Sequence, residues 1–364
     1  MIWLYIAEML LYLCFSLLIG SLLIHLVPAN KKPDLVINKR VLQISILGIA
    51  FLSTAPVIRL VVFLYEDIGL LLTVQNVVGE FEVGQAWSVT VLTSLFFYFF
   101  VSVTPVFKSK VLIVVSLVFT FLLLLALGWG SHAASVTDGS GFIFHTLHFT
   151  AATVWIGILL IVSWFSVSSK NWLPFIKWFT PLAIICLIII SASGLYIMTL
   201  ALNLKDYTDA WQMPYGQAIL VKHLLILPVL LFAFINGVFI RAKLSRGKKV
   251  NPLPWARAES VVLLLVLSAT AVLGQQEPPH SIESFIRMNG ASNLFAYFHT
   301  GSMDTAMHLQ FEWSILGVLF LFLGTAFGSL VIYSFKQKIP VYLTLVMGLF
   351  CVLSFYVGLM LSVG

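Results

Sequence analysis

The sequence is poor in charged residues. Its few cysteines are not spaced as disulfide-bonded domains or thiolate metal sites require. Only 9% of the 364 residues are Asp, Glu, Lys or Arg, whereas soluble domains have roughly 25%. The three cysteines, Cys14, Cys186 and Cys351, lie far apart within apolar runs and form no CxxC pair. They indicate neither a disulfide framework nor a thiolate metal site. Small buried hydrophobic residues are the better interpretation.

Long polar stretches are also scarce, so there is no room for a soluble domain of ordinary size. The chain is 60% hydrophobic, with a mean hydropathy of +1.05, and a membrane span needs about 20 apolar residues. The pattern predicts an all-α, polytopic transmembrane bundle of about ten helices, forming a single membrane domain over residues 1–364. A bacterial plasma membrane is the expected location. The apolar runs cover about 2–27, 41–65, 86–105, 111–129, 142–167, 175–202, 216–240, 258–274, 312–335 and 340–361.

The charges alternate in sign between successive loops. Basic clusters follow the first, third, fifth, seventh and ninth apolar runs, whereas most acidic residues lie in the other loops. Because cytoplasmic loops carry the excess of Lys and Arg, we expect both termini outside and an acidic outer face. No basic segment precedes the first run, which we therefore interpret as a retained helix rather than a signal peptide.

The stretch of residues 130–157 contains three of the eight histidines, His132, His145 and His148. His145 and His148 are three residues apart, so on a helix they lie one turn apart on one face. Trp155 lies on that face as well. Two imidazoles at the outer end of a helix could meet one ion, which makes the pair a candidate metal entry site. The alternative is an interfacial histidine pair that only caps a membrane helix.

A second outward segment, residues 275–311, is the longest break in the hydrophobic pattern. It contains five potential donors. If its second half is helical, His299, Met303 and Met307 share one face, with His308 adjacent. Thioether and imidazole together suit copper ions, although methionine also fills interfaces without any metal. The donors are His280, His299, Met303, Met307 and His308.

Lys222 and His223 lie several residues inside the seventh apolar run. An ionisable side chain at membrane depth is costly unless it pairs or reaches the interface, and it is a functional candidate by default. We therefore place both residues beside a transport path. Glu8, near the outer end of the first run, is a candidate partner for Lys222; snorkelling of Lys222 to the headgroups is the alternative.

Several of these short elements, in this order, resemble the CopD copper-resistance or copper-import family over about residues 130–280. They are His145-x-x-His148, Trp155-x-Gly157, Ser193-Gly194, Tyr215-Gly216 leading to Lys222, and Arg257-x-Glu259 opening a helix that ends in Pro278-Pro279. Two departures lie towards the cytoplasmic side. Asn236 is followed by Gly237 rather than Arg, and Lys177-Trp178-Phe179 stands where an Arg-Phe pair is usual.

The resemblance implies a membrane protein that takes copper from the outer side, often beside a small CopC-like carrier. No CopC-like β domain is recognisable in the sequence, so we expect such a carrier to be a separate chain. The sequence also has no Walker loop and no transmembrane Cys-Pro-Cys motif of copper ATPases. We accordingly expect a non-enzymatic copper transporter rather than a nucleotide-driven pump.

Two other functions remain open from the sequence. The first is a haem b or quinone redox protein, for which His148 and His223 are the candidate axial ligands. The second is a copper assembly factor that presents metal to a membrane enzyme without transport. A pyridine haemochrome assay distinguishes the first of these from a transporter, and uptake into liposomes distinguishes the second.

Overall fold

A computed structural model describes residues 2–135, 137, 139–278, 281–299 and 306–364. These residues are mostly helical; no β-strand is assigned within them, and two isolated bridges join Leu35 to Ser166 and Phe311 to Val363. Ten helical segments of the described chain are long and apolar enough to cross a membrane. The all-α polytopic fold predicted from the sequence is therefore confirmed.

The chain divides into two compact units, Met1–Leu200 and Ala201–Gly364. In the first, 3-10 turns at Ala29–Lys31 and Val106–Lys108 accompany the helices. The α-helices are α1 (Ile2–Leu26), α2 (Arg40–Leu52), α3 (Thr54–Ile68), α4 (Leu70–Gly79), α5 (Glu82–Val103), α6 (Lys110–Trp129), α7 (His132–Ser135), α8 (Ser140–Phe165) and α9 (Trp172–Ala201).

In the second unit, 3-10 turns at Leu204–Asp206 and Asp209–Gln212 precede the first long helix. A π-helical turn, Ile235–Ile240, follows that helix directly. The α-helices are α10 (Pro214–Phe234), α11 (Arg241–Ser245), α12 (Leu253–Gly274), α13 (Ile282–Asn289), α14 (Asn293–Ala296), α15 (Ile315–Gln337) and α16 (Val341–Met360).

The spans agree with the apolar runs, with differences at particular ends. Helices α2 and α3 form one span, Arg40–Ile68, and the span beginning with α10 continues to Ser245. Helix α12 begins at Leu253, about five residues before the predicted start, because Pro252 and Pro254 suit a helix N-terminus. The short apolar helix α4 has no counterpart among the predicted spans.

Helices α1 and α8 cross at two glycines. A Cβ atom on Gly20 would lie 2.2 Å from the carbonyl oxygen of Gly157, and one on Gly157 would lie 2.2 Å from the carbonyl oxygen of Ser16. Small residues let membrane helices approach this closely. On the N-terminal side of this crossing along α1, Phe149 packs against Tyr12 and Phe15, at ring-centroid distances of 5.1 and 5.4 Å.

The second unit has its own core, in which the loop segments pack onto the helices. A buried cluster includes Trp211 from a 3-10 turn, Phe295 from α14 and Met360 from α16. The Tyr356 hydroxyl donates a hydrogen bond of 2.5 Å to Gln217 Oε1, joining α16 to α10. The segment between α12 and α15 is therefore partly docked on the bundle.

Candidate metal-handling site

In the first unit, His148 on α8 reaches across to α9. Its Nδ1 atom lies 3.1 Å from the Ile190 carbonyl oxygen and 3.2 Å from Ser193 Oγ. A carbonyl oxygen can only accept a hydrogen bond, so Nδ1 carries the proton in a neutral ring and Nε2 keeps the lone pair. A neutral imidazole with one nitrogen held in this way is the usual form of a histidine metal ligand.

Gly194 provides the space for this ring. A Cβ atom at Gly194 would lie 3.0 Å from His148 Cε1 and 3.2 Å from Nδ1, which is tighter than ordinary packing. On α9, Ser193 thus supplies a hydroxyl oxygen near His148 Nδ1, and the adjacent Gly194 leaves the space that the ring occupies. Two turns along α8 from His148, Trp155 is buried, and its Nε1 has no hydrogen-bond partner among the described residues.

His145 is half-buried one turn before His148. With 3.6 residues per turn, it projects between His148, which faces α9, and Phe149, which contacts α1. On α1, Tyr12 contacts Phe149 and donates a hydrogen bond to Glu8. The Glu8 carboxylate therefore lies one turn from Tyr12, along the stripe of α1 that faces α8.

The donor set of this region is small. His132 is exposed on the short helix α7, and no group of three or more His, Cys, Asp or Glu side chains in the described residues could hold one ion. A pair of imidazoles fits a copper ion in donor type.

In the second unit, His308 is held by Asp209. His308 Nδ1 lies 2.9 Å from Asp209 Oδ2, while the Leu309 backbone N–H donates to Asp209 Oδ1 at 2.8 Å. The His308 side chain is 94% exposed, whereas that of Asp209 is only 15% exposed. The Asp209 carboxylate thus orients the His308 ring so that its Nε2 edge faces solvent.

Met307, next to His308, is fixed through its backbone. Gln212 Nε2 donates to the Met307 carbonyl at 2.6 Å, and the Met307 N–H donates to Gln212 Oε1 at 2.9 Å. The helical arrangement considered for this segment is not observed in the described residues, since α14 ends at Ala296 and residues 306–310 are not helical. Met303 and His280 lie outside the described residues.

His299 is placed differently from His308. Its Nδ1 lies 3.2 Å from the Phe295 carbonyl and its Nε2 lies 2.8 Å from the Val363 carbonyl. The ring also stacks on Phe295, with 4.0 Å between ring centroids. In this conformation both nitrogens face backbone acceptors, so His299 joins the loop to the end of the chain rather than presenting a nitrogen to solvent.

Lys222 and His223 lie two turns into α10. The exposed His223 ring has its Nδ1 2.8 Å from the Tyr207 hydroxyl, whereas Lys222 is half-buried. Tyr207 precedes α10, and burial raises the pKa of its hydroxyl to about 12, so the phenol stays protonated at physiological pH. The pairing of Lys222 with Glu8 stays a prediction.

Sequence reasoning did not identify Asp209 or Gln212 as partners of the outer segment. They are 99 and 95 residues from the groups they hold, and no local spacing relates such positions. It also did not pair Asn236 with Glu259, although the Asn236 Nδ2 donates to Glu259 Oε2 at 2.8 Å. Both residues had been noted only as parts of separate motifs.

Comparison with known proteins gives two family matches in chain order. The family described as copper resistance protein D matches residues 173–273, and the copper resistance protein D-like N-terminal domain matches residues 1–142. Copper transport protein CutJ of Bacillus subtilis (strain 168) is 26% identical over 289 residues, covering 74% of this chain and 52% of that protein. The chain thus spans about half the length of the curated relative it matches. No solved structure matches it.

The match to residues 173–273 contains part of the resemblance noted in the sequence, whereas His145, His148 and Trp155 lie between the two matched ranges. The N-terminal domain match contains the α1 side of the Gly20–Gly157 crossing, and the match to residues 173–273 contains Ser193, Gly194, Asn236 and Glu259. Together with the ten apolar spans, these matches identify a multi-pass protein of the cell membrane that is similar, over parts of its chain, to the copper resistance protein D family.

Proposed function

We propose that this protein imports copper across the membrane, from the outer side towards the cytoplasm. The observation that carries the proposal is the His148 ring, whose Nδ1 is held by α9 through Ile190 and Ser193. This hydrogen bonding leaves Nε2 as the donor nitrogen, as a copper ligand requires. His145 and His148 form the entry site, with Trp155 further along the same face.

The Asp209–His308 pair has a different role in this proposal. His308 and Met307 lie on a segment outside the membrane spans, so they recruit copper at the outer surface. His132, Met303, His280 and His299 are secondary candidates for the same task. The acidic outer loops add to it, because an anionic surface raises the local concentration of a cation.

Inward movement needs no nucleotide hydrolysis. A negative cell interior favours an entering cation by about 2.3 kcal/mol for each charge per 100 mV. Uniport along this gradient accounts for import, and a separate CopC-like carrier is a candidate outer donor.

The test is copper uptake by the purified protein in liposomes with an imposed potential, inside negative or inside positive. We expect uptake with the inside-negative potential and none in protein-free liposomes. An assembly factor would bind copper yet give no uptake, and a redox protein would give a haemochrome signal. Either result would contradict the import proposal.

The orientation is tested separately by labelling cysteines placed at two exposed positions, one on each predicted side of the membrane. Arg287→Cys on α13 should react with an impermeant reagent on intact cells, because its segment is predicted to lie outside. Lys248→Cys, in the basic segment after α11, should react only after the cells are opened. The reverse pattern would mean that the charge bias has been assigned to the wrong side.

A further inference from the structure

Glu259 is an acidic residue buried in the second unit. Its side chain lies on α12, and the residue is only 3% exposed. An ionised carboxylate inside a membrane bundle is costly unless a charge, a metal or a proton compensates it. The hydrogen bond it receives comes from a neutral amide, Asn236 Nδ2, at 2.8 Å.

Asn236 lies on the π-helical turn Ile235–Ile240 that interrupts the helix after α10. Turns of this kind are rare and occur frequently at functional sites. The Phe232 and Trp255 rings pack nearby at 6.2 Å, joining α10 to α12 beside the pair. The turn therefore places a polar side chain against the carboxyl group where α12 packs on this part of the preceding helix.

The other polar atom of the Asn236 side chain, Oδ1, bears on whether the Glu259 carboxyl group is protonated. Asn236 Oδ1 is buried and has no hydrogen-bond partner in the described residues. An amide oxygen only accepts, and an ionised carboxylate also only accepts, so the two cannot satisfy each other. A protonated carboxyl group can, because its O–H donates to Oδ1 while Oε2 accepts from Nδ2.

Two basic residues of the described chain at this end of the unit are directed elsewhere. Arg241 is exposed, and Lys243 Nζ lies 4.0 Å from the centre of the Phe335 ring. Gly237 follows Asn236, where the family resemblance leads us to expect Arg. The titratable residues on the elements packed here are Tyr215, Lys222, His223, Arg241 and Lys243 on α10 and α11, Tyr333 and Lys336 on α15, and Tyr342, Cys351 and Tyr356 on α16.

We propose that Glu259 and Asn236 form a proton-binding site, in which a carboxylic acid and an amide share two hydrogen bonds. Release of the proton to water leaves a carboxylate that retains only the Nδ2–H bond. Rebinding restores the second bond to Oδ1. This site does not depend on copper; if the import function is also correct, it gives the transporter a group whose charge can change during the cycle.

Infrared difference spectroscopy of the full-length protein in membranes tests the site without copper. We expect the wild type to show the C=O absorption of a protonated carboxylic acid. The frequency of this band should shift in D₂O, and its intensity should change with pH by the equivalent of one carboxyl group per protein. Glu259→Gln should remove this signal while the protein still folds, since glutamine can form the same pair of bonds. Glu283→Gln, at an exposed acid on α13, is the matched control and should retain the signal.

A second variant tests the contribution of the amide. Asn236→Leu should move the wild-type absorption to higher frequency, because the acid loses both hydrogen bonds. If Glu259→Gln and wild type give the same acid signal at every pH, Glu259 carries no exchangeable proton and the proposal is wrong. If Asn236→Leu leaves the frequency unchanged, the amide does not share the proton.

Discussion

The two histidine regions fix the imidazole in the same way but in different surroundings. His148 donates from Nδ1 to a backbone carbonyl of α9, whereas His308 donates from Nδ1 to the Asp209 carboxylate. His148 is half-buried between helices, and the His308 side chain is 94% exposed. The same nitrogen, Nε2, is thus left without the held proton inside one helical unit and on the surface of the other. The difference predicts that His148 controls the maximal rate and His308 the concentration dependence.

The largest effect is expected for His148→Ala. Removing the held imidazole should lower maximal uptake by about 100-fold, because loss of a group that only supports a metal ligand already costs about 10- to 100-fold, and His145→Ala should act in the same direction. His25→Ala is the control. The His25 ring also forms a hydrogen bond with a helix carbonyl, that of Ser21, but it lies in the last turn of α1. Liposome uptake at saturating copper measures the effect. Wild-type rates in both variants would mean that the pair is only structural.

A smaller effect is expected for Asp209→Asn, which changes the tautomer rather than the fold. The asparagine oxygen can still accept from the Leu309 N–H, but its NH₂ group now donates to His308 Nδ1 and places the ring proton on Nε2. The copper concentration for half-maximal uptake should rise by about 10-fold, with the maximal rate unchanged. Asp206→Asn, three residues earlier, is the control.

The same measurement tests whether Asp209 acts through His308. If it does, adding His308→Ala to Asp209→Asn should cause little further change, because both remove the same donor nitrogen. Additive losses would show that the two residues act separately. A fall in the maximal rate would instead move His308 from recruitment into the translocation path.

Gly194→Ala tests the gap that His148 occupies. The new methyl group would lie 3.0 Å from His148 Cε1 and 3.2 Å from Nδ1, so the ring must shift by a few tenths of an ångström. We expect a loss of maximal uptake of a few fold, well below that of His148→Ala. Ser193→Ala removes the hydroxyl but leaves the Ile190 carbonyl as an acceptor, and should have less effect. An unchanged rate for Gly194→Ala would show that the position of the ring is not critical.

The smallest effect is expected for Met307→Ala. The Gln212 side chain bonds the Met307 backbone rather than its thioether, so the segment should stay in place. The concentration for half-maximal uptake should rise less than in Asp209→Asn. A rise as large as that of Asp209→Asn would make the thioether an equal donor to the imidazole.

The helices themselves were predictable because membrane insertion depends on local hydropathy. Apolar runs of about 20 residues gave all ten spans, and the spacing of His145 and His148 placed both on one helix turn. The ends were less certain: α12 begins at Leu253 because prolines fit its first turn, and α4 is too short to be recognised as a span. The conformation of the segment between α12 and α15 was not predictable in this way, because it depends on tertiary contacts. Helix α14 ends at Ala296, and residues 307–309 form hydrogen bonds with Gln212 and Asp209.

The sequence by itself determined the membrane class, the order of the spans and the residue types capable of binding copper, because hydropathy and donor chemistry belong to the residues themselves. Only the tertiary structure decided which nitrogen of His148 and His308 is available and that Asn236 lies against Glu259. These pairings join positions 42, 99 and 23 residues apart. A hydrogen bond depends on distances and angles in space, and local periodicity does not encode them across separate helices and loops.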